Sequence, residues 1–300
     1  LTIATSHEET SMKIGVVLPQ TEIGNDPAAI KAYAEAVEGM GFTHILVFDH
    51  VLGANPERPG GWKGPYTYRH GFHEPFVLFG FLAAATRRVE LVTGIIILPQ
   101  RQTVLVAKQA AEVDLLTQGR FRLGVGLGWN AVEYEALGQS FRDRGRRLGP
   151  QIELLRRLWT EDSVTQDGPD DRITGAGLAP HPVQRPIPVW VGGQSDPAYR
   201  RIGRLADGWF PQLPPGEHLD RALGIIATAA TDAGREPATI GMEGRVNWQP
   251  DHDRFVRQVE RWRSAEATHI GINTMGAGLA SVDDHIAALA TAAQLIGVAG

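Results

Sequence analysis

Residues 89–127, VELVTGIIILPQRQTVLVAKQAAEVDLLTQGRFRLGVGL, predict a strand, a helix and a second strand in succession. The β-branched runs Val89–Ile97 and Phe121–Leu127 are apolar almost throughout, as in strands that are covered on both faces. Between them, residues 102–117 are long enough to form a helix. A buried strand, a helix and a second buried strand together form the repeating unit of a parallel α/β sheet.

The same alternation runs along the rest of the chain. Six further strands are predicted, at Lys13–Pro19, His44–Phe48, Pro188–Gly192, Asp207–Phe210, Ile240–Asn247 and His269–Asn273. Helices are predicted near 27–40, 75–86, 102–117, 142–159, 196–206, 216–234, 252–265 and 281–297. Eight strand–helix pairs indicate an α/β protein of the (β/α)8 TIM barrel type, with an open doubly wound sheet as the alternative. We expect one barrel domain over residues 12–300, preceded by an N-terminal extension over residues 1–11.

Two long insertions interrupt this alternation. Residues 51–74 follow the second strand and are rich in Gly, Pro and aromatic residues. In a barrel, a loop that follows a strand lies on the catalytic face, so this loop is expected to wall a substrate pocket, with Trp62 and Tyr66. Residues 161–187 are polar and Pro-rich and precede the fifth strand, where a structural role on the opposite face is expected.

The composition narrows the class of protein. The chain is 43% hydrophobic and 21% charged, as in a soluble globular enzyme. A net charge of −5 and a pI of about 6.1 give no general attraction to nucleic acid or an anionic membrane, so a small-molecule partner is expected. The absence of cysteine from the sequence excludes disulfides and thiolate metal sites and suits a cytoplasmic protein. His70 and His73 lack a carboxylate at a metal-binding spacing, and no metal is expected.

Two polar residues end the second predicted strand. Asp49 and His50 directly follow the apolar run Ile45–Phe48, at the edge where barrels carry their catalytic groups. An imidazole at that edge can exchange a proton near neutral pH. The alternative is that Asp49 caps the following turn and His50 is an ordinary polar residue of the rim.

A second candidate site follows the fifth strand. Its residues are Gly192, Gly193, Gln194 and Ser195, and they precede Pro197 at the start of a helix. Glycines let the backbone approach an anion closely, and the free N–H groups of a helix start attract it, which predicts a phosphate site. The alternative is a simple turn with Ser195 or Asp196 as the helix cap. The neighbouring Arg200, Arg201 and Arg204 are expected to lie on a solvated helix face, with added positive potential at the phosphate site as the alternative.

The glycines of the fourth strand do not form a dinucleotide site. Gly124, Gly126 and Gly128 have the spacing G-x-G-x-G, whereas dinucleotide-binding turns have G-x-G-x-x-G. We expect a close-packed fourth strand whose end, Gly128 to Glu133, opens into the pocket.

These motifs occur in an order that resembles a known family. KIGVVLPQ, FDH, the 89–130 segment and PVWVGGQSDPAYRRIGRLADGW follow one another over residues 13 to about 295. This order resembles the luciferase-like monooxygenase superfamily, and more narrowly its branch of oxidoreductases that use coenzyme F420. The resemblance implies a (β/α)8 barrel and a homodimer packed through the second and third helices, which suits the apolar 75–86 segment.

The resemblance also implies where a flavin or deazaflavin binds. Its phosphate is expected on residues 192–195, and its ring beside Asp49 and His50, with His50 assisting proton movement. A non-proline cis peptide is expected at Gly94–Ile95, behind the ring. Some F420 dehydrogenases have an acidic residue where this chain has Trp129, which argues against a sugar-phosphate substrate. Asn130 or Glu133 is then expected as the polar cofactor contact in this place.

Three functions remain open from the sequence. The first is hydride transfer between coenzyme F420 and a small organic substrate, with His50 as the catalytic residue. The second is an FMN-dependent two-component monooxygenase that activates oxygen. The third is a cofactor-binding protein without catalytic activity.

Overall fold

The computed structural model describes residues 12–298, so the expected extension over residues 1–11 lies outside the described part of the chain. In chain order the strands are β1 (Lys13–Val17), β2 (His44–Val47), β3 (Glu90–Thr93), β4 (Ile96–Ile97), β5 (Phe121–Gly126), β6 (Val164–Asp167), β7 (Arg172–Ala176), β8 (Val189–Gly192), β9 (Gly208–Phe210), β10 (Gly241–Asn247) and β11 (His269–Asn273). All of them except β6 and β7 pair in parallel, and the ring closes because β3 and β4 both pair with β5. Since β3 and β4 form one interrupted barrel strand, the barrel has eight strands. The (β/α)8 TIM barrel is confirmed, and the open sheet was the wrong alternative.

Helices alternate with the barrel strands. They are α1 (Pro27–Gly39), α2 (Pro75–Ala85), α3 (Thr103–Thr117), α4 (Ala131–Ala136), α5 (Arg144–Thr160), α6 (Asp196–Leu205), α7 (Glu217–Asp232), α8 (His252–Ser264) and α9 (Val282–Ile296). Every predicted helix is present, with ends within about two residues of the prediction; the short α4 is additional. Within residues 12–298, no helix combines the length and apolar character needed to cross a membrane.

The third barrel strand is interrupted between β3 and β4, where it pairs with β5, the fourth barrel strand. The Gly94–Ile95 peptide between β3 and β4 is cis, as the family resemblance implied. The Thr93 hydroxyl donates a hydrogen bond to the carbonyl of Gly124 and accepts one from its N–H, both at 2.8 Å. A Cβ atom on Gly124 would lie 1.9 Å from the Thr93 carbonyl oxygen. Gly124 therefore allows the close approach by which Thr93 joins β3 to β5.

An ionic layer, buried except for Glu90, crosses the barrel near the amino-terminal ends of its strands. It consists of His44, Glu243, Arg122 and Glu90. Glu243 accepts bonds from His44 at 3.0 Å and from Arg122 at 2.8 Å, and Arg122 also binds Glu90 at 3.0 Å. Burial alone would raise the pKa of Glu243, but the His44 imidazole and the Arg122 guanidinium lower it to about 2. The layer is therefore an ionic support for the barrel under the site.

An apolar layer separates these ions from the open end of the barrel. Its buried members are Val17, Leu46, Val92, Trp190 and Phe210, with Phe48, Ile95 and Met275 packed above them. Outside the barrel, the predicted stripe Leu148, Ile152, Leu155 and Trp159 of α5 is fully buried, or nearly so, against the strands and α3. The barrel is thus filled by side chains, and ligands have access only at the carboxyl ends of its strands.

The segment before the fifth barrel strand forms an antiparallel hairpin of β6 and β7. At its tip, Asp170 pairs with Arg146 at 2.7 Å and Asp171 accepts a bond from Thr103 at 3.0 Å. Thr103 and Arg146 lie at the starts of α3 and α5, which are at the catalytic end of the barrel. The expectation that this segment stays on the opposite face was therefore wrong for its tip.

Candidate active site

One cleft at the carboxyl ends of the barrel strands contains both predicted sites. Its volume is about 590 Å³. Ten of the predicted site residues line it, and they are Asp49, His50, Tyr66, Gly94, Ile95, Trp129, Gly192, Gly193, Gln194 and Ser195. The imidazole and the diglycine turn, which are more than 140 residues apart in the chain, thus face one shared space.

Glu133 holds the His50 ring from behind. Its Oε1 lies 2.9 Å from Nδ1 of His50, and its Oε2 accepts a bond from the Gln100 amide at 3.3 Å. Glu133 is fully buried, whereas the His50 side chain is 11% exposed. Because a carboxylate only accepts hydrogen bonds, Nδ1 carries the hydrogen, and Nε2 is left to accept or donate a proton. Glu133 was expected to contact the cofactor, but it lies behind the cleft wall.

Aromatic rings surround the imidazole on the side of the 51–74 loop. The ring centroids of Phe72, Tyr66 and Trp129 lie 4.7, 5.1 and 5.6 Å from that of His50. Trp62 does not contribute to the described cleft lining; it packs on Trp129 with ring centroids 5.7 Å apart and donates its N–H to the Tyr66 carbonyl at 2.7 Å. The loop and Trp129 together therefore place an apolar wall around the side chain that can exchange a proton.

Asp49 binds a guanidinium rather than capping the next turn. Its carboxylate lies 2.9 Å from Arg101, which also binds Glu74 at 3.0 Å, and it accepts a longer bond from the N–H of Ile97. Burial raises the pKa of Asp49, and the nearby Arg101 opposes that rise. These contacts hold the end of β2 against the third barrel strand.

Gln20 ties together the two ends of the 51–74 loop. This amide is almost fully buried, at 1% exposure. Its nitrogen donates to the carbonyl of Phe48 at 2.8 Å, and its oxygen accepts from the N–H of His73 at 3.1 Å. One side chain therefore fixes where the loop leaves the barrel and where it returns.

The diglycine turn lines the cleft on one side and packs tightly against α6 on the other. A Cβ atom on Gly193 would lie 2.7 Å from the Cβ of Ala198, and the Gly193 carbonyl accepts a bond from Trp209 at 3.0 Å. Ser195 takes the N-cap position of α6 but makes no side-chain cap bond to the described first turn. Asp196 is paired with Arg221 at 2.8 Å, which offsets its negative charge. The turn thus keeps the features expected of an anion site.

Several cleft residues were missed by the sequence analysis. Arg144, Arg201, Gln212 and Arg245 all line the cleft. Arg201 had been assigned to a solvated helix face, but it donates to the carbonyl of Gly145 at 2.7 Å, and burial lowers its pKa. The helical period offered a signal, because Arg201 lies one turn beyond the buried Ala198. For Arg144 and Arg245 the sequence offered none.

Asn130 does not line the described cleft, although it was expected to contact the cofactor. It is 3% exposed and caps α4, where its Oδ1 accepts from the N–H of Val132 at 3.0 Å. His70 lies in the loop, where its Nδ1 accepts from the N–H of Thr67 at 3.0 Å. No group of three or more His, Asp or Glu residues within 12–298 is arranged to hold a metal ion.

Comparison with known proteins gives matches over most of the chain. The profile described as luciferase-like monooxygenase matches residues 11–294. An uncharacterized protein of Mycobacterium tuberculosis is 35% identical over 210 residues, which is 67% of this chain and 71% of the relative. An F420-dependent glucose-6-phosphate dehydrogenase of Segniliparus rotundus is 29% identical over 259 residues, or 81% of this chain and 73% of that protein. A solved F420-dependent secondary alcohol dehydrogenase, in complex with an F420–acetone adduct, has a TM-score of 0.76 at 17% identity, covering 95% of this chain and 99% of the other.

Proposed function

Since the chain belongs to the luciferase-like monooxygenase family, we propose that it is an oxidoreductase that transfers hydride between coenzyme F420 and a small organic substrate. The observation that carries this proposal is the single cleft shared by His50 and the diglycine turn. A similar protein and a structural neighbour are both named as F420-dependent, which favours this cofactor over FMN.

The cleft residues fit a tricyclic ring with a ribityl phosphate. A volume of about 590 Å³ is within the range of small-molecule sites. Ile95, Ile97 and Leu127 give one part of the cleft an apolar surface suited to a ring. The diglycine turn lines the cleft without side chains, which offers close backbone approach to a phosphate. Arg144 and Arg201 add positive charge to the same cleft.

Each part of the cleft has a proposed role. Residues 192–195 would hold the phosphate, and residues 94–95 with Trp129 would contact the ring. Asp49 would act indirectly, since its bond to Arg101 holds the end of β2 in place. When bound, the reduced deazaflavin supplies a hydride.

His50 would supply the proton. An acceptor that receives a hydride also needs a proton, and Nε2 is the nitrogen of His50 that Glu133 leaves available. Positioned acid–base groups of this kind contribute about 10²–10⁴-fold to rate. Tyr66, Phe72 and Trp129 limit the access of water to the imidazole, which keeps the proton exchange between His50 and the substrate.

The experiment is a titration with F420 and, separately, with FMN, followed by oxidation of each reduced form with and without oxygen. We expect tight F420 binding and turnover that does not need oxygen, on a panel of carbonyl and activated-alkene acceptors. FMN-linked oxygen uptake would instead identify a monooxygenase. F420 binding without turnover on any acceptor would identify a cofactor-binding protein.

A substitution tests the role of His50. His50→Ala should slow turnover at least about 100-fold, while cofactor affinity changes much less, because the imidazole exchanges a proton rather than holding the phosphate. His218→Ala, on the exposed start of α7, is the matched control. Unchanged turnover in His50→Ala would remove the histidine from the mechanism.

We also propose that the protein is a homodimer through α2 and α3. Val77 and Phe81 of α2 are 74% and 40% exposed, and Leu105 and Leu116 of α3 are 52% and 57% exposed. Large apolar side chains grouped on two adjacent helices are typical of a surface that a partner covers. The family resemblance points to the same helices.

A further inference from the structure

A second large cavity lies beside the cleft, between the loop after β9 and helix α8. Its volume is about 570 Å³, and we call it the arginine basin after Arg245, Arg254, Arg257 and Arg261, which line it. Gln212 and Arg245 line both the basin and the cleft, so the two cavities adjoin at these side chains.

The charge of the basin is opposite to that of the whole protein. The chain has a net charge of −5, yet the lining holds four arginines and no carboxylate. Arg254, Arg257 and Arg261 are three and four residues apart on α8, so they share one face of the helix, where like charges repel. Among residues 12–298, no carboxylate pairs with Arg245, Arg254 or Arg257 in a salt bridge.

Of the acidic residues at α8, Asp251 and Glu260 have other partners, and the exposed Asp253 does not line the basin. Asp251 caps the helix, where its carboxylate accepts from the N–H of Arg254 at 2.9 Å. Glu260 pairs with Arg263, which does not line the basin. The lining of the basin therefore keeps a net positive charge, which Glu243 and Asp251 offset only in part from outside the lining.

All four arginines are exposed, and two of them also contact other parts of the protein. Arg261 donates to the carbonyl of Pro215 at 2.6 Å, across the cavity from α8. The guanidinium carbon of Arg245 lies 5.0 Å from the centre of the Phe48 ring, at the junction with the cleft. Guanidinium groups match the paired oxygens of phosphates and carboxylates.

We propose that the arginine basin binds the phosphate or carboxylate groups of a small anionic molecule that extends past Arg245 into the cleft. Four cations suit a ligand with more than one negative charge. The anionic group belongs either to the hydride acceptor or to the part of the cofactor beyond its ribityl phosphate. The binding of an anion in the basin does not depend on the proposed function. The role of that anion in turnover does rest on the proposed function.

The first experiment measures anion binding without cofactor. Pyrophosphate and citrate are titrated by calorimetry into the unsubstituted protein, the double variant Arg254→Gln/Arg257→Gln, and the control Arg263→Gln. We expect the double variant to bind at least about tenfold more weakly, because charge-assisted hydrogen bonds are lost, and the control to bind normally. Binding should also weaken as salt is added. Undetectable binding, or equal binding by the double variant, would overturn the proposal.

A third variant shows whether the anion binds in the basin or at the diglycine turn. Ser195→Asp places a negative charge on the turn without touching the basin. If pyrophosphate binding is lost in Ser195→Asp and retained in the double variant, the anion binds at the turn, and the basin proposal is wrong. Loss only in the double variant supports it.

The second experiment identifies the source of the anion. F420 and the same deazaflavin without its phosphate are titrated into the unsubstituted protein and the double variant. If the double variant binds F420 more weakly but binds the deazaflavin without its phosphate normally, the basin binds part of the cofactor. Unchanged F420 affinity, together with weaker anion binding, assigns it to the acceptor. A protein that binds neither F420 nor FMN but still binds pyrophosphate through these arginines would refute the proposed function and leave the basin proposal standing.

Discussion

The contact between Glu133 and His50 gives a sharp prediction, because two substitutions separate its charge from its geometry. In Glu133→Gln, the new amide oxygen can still accept from Nδ1 of His50. The NH2 group of the new glutamine then faces Gln100. The Oε1 atom of Gln100 has no partner among the described residues, so a turn of the Gln100 amide lets this oxygen accept the new hydrogen bond. The hydrogen bond to His50 is therefore retained, and the negative charge is lost. In Glu133→Ala, both are lost.

The expected magnitudes follow from the 2.9 Å bond to a fully buried carboxylate. Hydrogen bonds to charged groups contribute about 1.5–3 kcal/mol, and neutral ones about 0.5–1.5 kcal/mol. Glu133→Gln should therefore weaken the hydrogen bond that holds the His50 ring by about 1–1.5 kcal/mol. The expected result is a kcat that is lower by roughly five- to tenfold. Glu133→Ala, which also leaves Nδ1 without an acceptor, should lower kcat by about 30- to 150-fold.

The assay is the pH dependence of kcat and kcat/KM for F420-linked turnover. Without the carboxylate, His50 loses its nearest negative charge, so the fall in rate should appear in kcat. KM for the cofactor should change little, since Glu133 lies behind the cleft wall. Glu135→Gln, on the exposed side of the same short helix, is the control. If both Glu133 variants keep the original kcat and pH profile, Glu133 does not position His50.

Three further predictions concern stability, the phosphate turn and assembly. Glu243→Gln should lower the free energy of unfolding at pH 7 by about 3–5 kcal/mol in urea titrations, because it leaves a buried ion pair incomplete. Because the pKa of Glu243 is lowered from 4.5 to about 2, this stabilisation should be complete above pH 4.5 and disappear as the pH falls toward 2; a pH-independent difference would contradict the argument. Gly193→Ala, whose Cβ would lie 2.7 Å from that of Ala198, should weaken cofactor binding about tenfold in fluorescence titrations, whereas Gly224→Ala, with no atom within 4 Å, should not. Val77→Asp should convert the proposed dimer to a folded monomer in light scattering; a dimer of unchanged affinity would exclude that face of α2.

Most of the fold could be predicted because buried strands and amphipathic helices differ in their periods. His269–Asn273 was predicted to the residue, and the ends of the helices differ by at most about two positions. The β6–β7 hairpin could not be predicted, because its residues are polar and mostly exposed and therefore show no alternation of buried and exposed faces. A hairpin that packs through salt bridges at its tip leaves no hydrophobic pattern in the sequence.

In the candidate site, only the residues that directly follow a strand could be placed from the sequence. Asp49, His50 and the diglycine turn follow strands directly, so the barrel rule placed them on one face. The bond between His50 and Glu133 joins residues 83 positions apart, and neither local spacing nor composition indicates it. Asn130 and Glu133 were expected to contact a cofactor because of the family resemblance, but Asn130 caps α4 and Glu133 bonds His50 and Gln100.

Because Gln20 holds both ends of the 51–74 loop, the wall of the cleft is attached to the barrel as an exchangeable unit. The free energy of closing a flexible loop changes slowly with its length, so a longer or shorter insert between the same two anchor points would cost the scaffold little. Exchanging this insert would therefore change that part of the wall while the rest of the cleft stays in place, provided that Gln20 is kept.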